Sequence, residues 1–253
     1  MDITILIGGL FFIYLLINAI GFESFLLLFV NVDALILVFG CTFSATLIHF
    51  PITQVFRVGQ RLKFLLSFKK YNYQKDIDYL TDISKSIRSN GAQSIIGSIN
   101  NCPDHFLKTG LQLLVDQIQP NELDKILSLN MNYIQKRHLQ GIMFFEQMAK
   151  YAPAFGLLGT TIGLVQLLAN LKDPSLIGQG MSIALVSTFY GILMANFLFA
   201  PISGRLRAYS IEELFQKEML KVGILSVAKN ESSVIVQEKM MLFLTQKERK
   251  NDQ

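Results

Sequence analysis

The sequence predicts an all-α polytopic membrane protein: four transmembrane helices, a cytoplasmic helical insert between helices 2 and 3, and a cytoplasmic C-terminal helix. Three observations carry that prediction. Residues 152–171 and 181–204 hold no Asp, Glu, Lys, Arg or His, and each is long enough for the ~20 apolar residues that cross a bilayer core. Two more apolar runs precede them, residues 3–20 and 25–49, the second interrupted only by Asn31 and Asp33. Finally, 51% of residues are hydrophobic and mean hydropathy is +0.39, outside the range of an ordinary water-soluble globule.

The elements follow in order. Residues 3–20 form the first span; with no Lys or Arg before the apolar run and a second span at once behind it, a cleavable signal peptide is a poor reading. Of 23 Lys and Arg, only Lys172 falls in a connection between spans one and two or three and four. Basic residues stay on the cytoplasmic side, so both termini, the insert and the tail are expected in the cytoplasm of a bacterial inner-membrane protein. The external turns then lie near 21–24 and 172–180. The net charge of +4 belongs to this pattern and gives no reason to expect nucleic acid. The expected organisation is 1–50, spans one and two; 51–148, a cytoplasmic helical domain; 149–204, the hairpin of spans three and four; and 205–253, a helical tail.

Within the insert, residues 61–70 are basic and aliphatic, suiting a helix on the inner membrane surface with Leu62, Leu65 and Leu66 inward. From Asp76, Ile77, Leu80, Ile83 and Ile87 recur at helical spacing, with Gly91 as the stop. Pro103 opens another run, with Phe106, Leu107, Leu111, Leu114 and Val115 on one stripe, ending near Pro120. Asn121 is then expected as N-cap, with Glu122 in the first turn, of a helix that continues into the third span.

Enzyme chemistry is not expected. There is no HExxH, GxSxG or Walker loop, and no Cys/His cluster at metal spacing. His49, His105 and His138 are scattered, and Cys41 and Cys102 are read as structural. The chemistry lies in the hairpin. Pro153, Gly156, Thr160 and Gly163 share one helical face, and Pro153 frees the carbonyl of Ala149. Gly159 and Gly163 form a GxxxG spacing, and Ala184, Thr188, Gly191 and Ala195 form a matching face on the fourth span. On spacing alone two readings stand: helix packing with hydroxyls bonded to their own backbone, or a wall lining a path for a cation beside a partner helix.

A resemblance now enters. The run YAPAFGLLGTTIGLV (151–165), KDP (172–174) and IALVSTFYG (183–191), with RHLQG (137–141) and FVNVDALILVFG (29–40), resembles the signature of the MotA/PomA family, the A subunit of the bacterial flagellar stator. The resemblance covers nearly the whole chain. It implies five A subunits around two MotB/PomB-like B subunits, each B helix supplying the intramembrane Asp that this hairpin lacks. It implies no cofactor, only a permeating Na⁺ or H⁺. Thr160 and Thr188 match the threonines lining the path of sodium-driven members, which favours Na⁺; Pro153 and Pro201 match the family's two coupling prolines. Arg88 matches a basic position that engages the rotor protein FliG. Beside that stands the plainer reading of a solvated helix-end residue, since the acidic residues expected after Gly91 are missing from 92–98. Asn31 stands where many members have Asp. The alternatives are an ExbB/TolQ energiser, which has one span before its cytoplasmic domain, a ZorA-type motor, whose longer tail contrasts with one ending at Gln253, and a non-conducting scaffold.

Overall fold

A computed structural model describes residues 3–65, 71–100, 102, 104–172 and 174–245. Among them every regular element is helical. In order, α1 is Ile3–Ile20, α2 Phe22–Ser24, α3 Val32–His49, α4 Ile52–Leu65, α5 Tyr73–Asn90, α6 Ile96–Asn100, α7 His105–Val115, α8 Pro120–Ala169, α9 Pro174–Leu193, α10 Ala200–Ala228 and α11 Ser233–Met241. Phe25–Phe29 and Met194–Phe199 are π-helical, and Ala92–Ile95 is a 3₁₀ turn. The chain divides into two compact units: Met1–Phe68 with His138–Ala208, and Lys69–Arg137 with Tyr209–Gln253.

In the first unit, three stretches are long and apolar enough to cross a membrane: Val32–His49, a window within Pro120–Ala169, and a window within Ile177–Ala228. The apolar part of α1, Leu6–Ile20, is shorter. Ala34, Val38, Thr42 and Thr46 recur every four residues on α3 and are completely buried, forming the stripe that packs on α9. The two threonines are tolerated there because each hydroxyl donates to its own helix, Thr42 to the Val38 carbonyl at 2.6 Å and Thr46 to that of Thr42 at 2.7 Å. Phe12 stacks on Phe197 with ring centroids 4.0 Å apart.

The second apolar run is not one helix. Val30 and Asn31 are extended, and α3 begins anew at Val32. The cause is local: Asn31 is an N-cap whose side chain accepts the Ala34 N–H at 3.0 Å, so its preference for caps outweighs the surrounding hydrophobicity. The helix expected over 61–70 falls partly within α4 and partly on 66–70, which lie outside the described residues, as do the side chains of Leu62 and Leu65.

The second unit has a core of large side chains. Ile77 and Leu80 of α5, Leu111 of α7, Leu123 and Leu127 of α8, Met219, Leu220 and Ile224 of α10 and Met240 of α11 are fully buried. Asn72 caps α5 through the Lys75 N–H, and Gly91, with φ of 82°, ends it where expected. Asp104 caps α7; Pro103 lies outside the described residues. Asn121 is not an N-cap. The helix starts two residues before the position that such a cap would give, because Pro120, lacking an N–H and with φ already set, fits the first helical position.

Buried polarity in this unit is paired. Lys217 donates to the Asp104 carboxylate with both side chains nearly buried, and its Nζ lies 5.8 Å from the Phe106 ring centre. Gln216 donates to Asp76 at 2.6 Å, and Tyr73 to Glu212 at 2.5 Å. Burial, reinforced by the Glu213 carboxylate, pushes the Tyr71 hydroxyl well above its ordinary range. Burial likewise pushes the Cys102 thiol up, opposed by its bond to the Asp104 carbonyl.

Candidate functional site

The hairpin side of α8 and α9 fit as two surfaces without large side chains. A methyl group on Gly163 would sit 2.5 Å from the Ala184 nitrogen and 2.6 Å from the Gly180 oxygen. One on Gly191 would sit 2.7 Å from the Ala152 oxygen and 3.0 Å from Cα of Gly156. Backbone therefore meets backbone, as small residues permit between helices in lipid. Gly159 presses on Ser187 and Leu37, on the side facing α3.

Where the backbones are closest, Thr160 and Thr188 meet. Their hydroxyls are hydrogen-bonded to each other, and Thr160 Oγ1 also lies 3.1 Å from the Ala184 carbonyl and 3.2 Å from that of Gly156. Both threonines are half-buried. Two hydroxyl and two carbonyl oxygens thus converge at mid-hairpin without a carboxylate. Such oxygen-only sets suit hard cations over soft ones. Among the described residues there is no group of three or more His, Cys, Asp or Glu that could hold a metal ion.

The other singled-out residues are placed as follows. Gly156, Gly159, Gly163 and Gly191 are buried in the α8–α9 contact. Pro153 lies inside α8 with its ring exposed, close to Gly191, and Ala149 packs half-buried beside Met148 and Phe199. Pro201 is exposed in the first turn of α10, directly after the π-helical Met194–Phe199. Arg88 is exposed in the last turn of α5, in the other unit. In the uncharged 92–98 segment only Ile95 is buried in the core, with Ile99 just beyond, while Gln93, Ser94, Ile96, Gly97 and Ser98 are exposed.

Sequence reading missed a second polar cluster beside the pair. Tyr190 donates to the Phe29 carbonyl at 2.6 Å and accepts the Asn31 N–H at 3.2 Å, while the Asn31 amide donates to Ser182 at 3.2 Å. The signal was present: an Asn directly before an apolar helical run is an N-cap pattern. Ser187, one of the few polar residues of the fourth span, has a fully buried hydroxyl with no hydrogen-bond partner among the described residues.

Fold and site together define a helical membrane protein whose hairpin places hydroxyls, and no charge, at bilayer depth. The MotA/TolQ/ExbB proton channel family matches residues 98–219. Motility protein A of Borreliella burgdorferi is 36% identical over 82% of this chain and 80% of its own length, and that of Cereibacter sphaeroides 30% over 98% and 97%. The flagellar MotAB stator complex from Bacillus subtilis is similar in structure, with a TM-score of 0.87 at 27% identity over 97% of each chain. The chain belongs to the MotA/TolQ/ExbB proton channel family, in its MotA/PomA branch.

Proposed function

We propose that this chain is the A subunit of an ion-driven flagellar stator. It spans the bacterial inner membrane four times with both termini cytoplasmic, and five copies surround two B subunits. The observation that carries the reading is the Thr160–Thr188 oxygen cluster in a hairpin that has no carboxylate of its own. A B-subunit helix supplies the missing Asp; the threonines and the Ala184 carbonyl stand in for part of the ion's water shell. Each charge moved through the field is worth about 2.3 kcal/mol per 100 mV, enough to bias a ring between rotational states. Pro153 and Pro201 interrupt the backbone bonding of α8 and α10 and let helix geometry follow occupancy. Arg88 faces the rotor protein FliG.

Hydroxyls and carbonyls suit partly dehydrated Na⁺, whereas a proton needs only the acid and water. Against that, the description of the matched family as a proton channel family supports H⁺. The experiment changes Thr160→Ala and measures swimming across sodium concentrations. A higher sodium requirement in the variant is expected. Motility indifferent to sodium before and after the change overturns the sodium reading, and co-purification with no single-span partner overturns the stator reading.

A further inference from the structure

We propose that Tyr190 is a positioning residue that latches the break in the second apolar span to the turn of α9 carrying Thr188, so that the segment 21–30 and the hydroxyl pair move together. The inference rests on the orientation and ion path proposed above. Two features of the segment point to it. It is bounded by joints: Gly21 at φ of 86°, a left-handed conformation that L side chains rarely adopt, and the extended pair Val30 (φ −92°, ψ 94°) and Asn31 (φ −123°, ψ 108°). Between those joints, Phe22 and Leu28 are exposed, and so is Val30 at the second of them.

The second feature is how the break is satisfied. Backbone groups at bilayer depth need protein partners, since lipid provides none. One phenol serves both sides of this break, donating to the Phe29 carbonyl at 2.6 Å and accepting the Asn31 N–H at 3.2 Å. Phe189 packs edge-on against Phe29, ring centroids 5.0 Å apart, beside the same joint. Asn31 spends its own side chain on α3 and on Ser182, so it fixes the start of α3 and leaves the segment to Tyr190. Tyr190 follows Thr188 by two residues, about 200° around a helix, so one points to α3 while the other points to α8. A shift of that turn when the hydroxyl pair changes partners therefore reaches the break through the Tyr190 hydroxyl, which holds both of its sides, with the Phe189 ring packed beside it.

The test uses the whole A/B complex in cells, with Phe22→Cys, in the expected external turn at the outer end of the segment, labelled by a membrane-impermeant maleimide and the chain without that change as blank. Tyr190→Phe keeps the ring and removes only the hydroxyl; a labelling rate raised by about two- to tenfold is expected, the span of one hydrogen bond's net effect. Thr188→Ala is expected to shift the rate as well, and to lose that shift when combined with Tyr190→Phe. Ser182→Ala, which leaves the phenol in place, is expected to change the rate little. Unchanged labelling in Tyr190→Phe, an equal Thr188→Ala effect in both backgrounds, or an equal rise in Ser182→Ala overturns the latch. If Tyr190→Phe fails to accumulate in the membrane, the Thr188→Ala arm decides alone: a shifted rate supports the latch and an unshifted one overturns it. Labelling reads the break whether or not ions flow, so a failed latch leaves the sodium experiment standing, and the reverse.

Discussion

The α8–α9 hairpin of the first unit and the core of the second hold together by opposite means. In the hairpin, Gly156, Gly163 and Gly191 bring backbone against backbone, and the polar groups between the helices are hydroxyls, Thr160's within reach of nearby carbonyls and Ser187's without a partner among the described residues. In the second unit, fully buried Leu, Ile and Met side chains surround a Lys217–Asp104 ion pair. The difference follows from the solvent. Lipid tails are as apolar as leucine, so helices in a bilayer associate by close fit and hydrogen bonding; in water, expelling large apolar surface dominates. A structural ion pair is easier to bury in the second setting, where a partner and further donors can surround it.

This contrast can be broken at four points, in descending order of effect. Lys217→Ala leaves the Asp104 carboxylate buried without its cation, and a loss of about 3–5 kcal/mol is expected in unfolding of the purified chain. Lys217→Met combined with Asp104→Asn should recover much of that loss, because neither charge then remains and the α7 cap is kept; a double change as costly as Lys217→Ala would show that the pair is a minor feature. Leu220→Ala opens a cavity at a completely buried site and should cost about 2–5 kcal/mol, read in the same melts.

Gly191→Leu drives a side chain into the Ala152 carbonyl. It should cost about 1–3 kcal/mol and reduce recovery of the assembled complex, whereas the same change at exposed Gly178 should be near neutral. The smallest effect concerns Glu231, whose carboxyl is held below its usual range chiefly by the Lys239 hydrogen bond. A carboxylate with a lowered folded value stabilises above the unfolded value and loses that contribution as pH falls through the folded one. Glu231→Gln should therefore cost under ~1 kcal/mol at neutral pH and nothing in acid, measured by melting at both.

The hairpin was legible because its pattern is short-range. Small residues at spacings of three and four place themselves on one face, and the closest contacts fall on Gly159, Gly163 and Gly191. The stop of α5 at Gly91 was legible for the same reason, whereas its start at Tyr73, capped by Asn72, precedes the Asp76 from which the apolar pattern is read. The break at Val30 was not legible, because hydropathy averaged over a span hides one Asn, although the capping chemistry of that residue is local. The start of α8 was placed two residues late because a cap was preferred over the proline just before it. The Lys217–Asp104 pair lies beyond any such pattern: its partners are separated by 113 positions, and nothing near either one announces the other.

Thr160 has one hydroxyl proton and three acceptors within reach, on Gly156, Ala184 and Thr188. Only one can be served at a time, and choosing among them takes one torsional rotation, a matter of picoseconds to nanoseconds for a side chain. Helices shift thousands of times more slowly, in about microseconds to milliseconds. The oxygens at mid-hairpin can therefore re-aim their lone pairs many times during any single displacement of α8 or α9. Local solvation and mechanical motion are separated in time at one side chain.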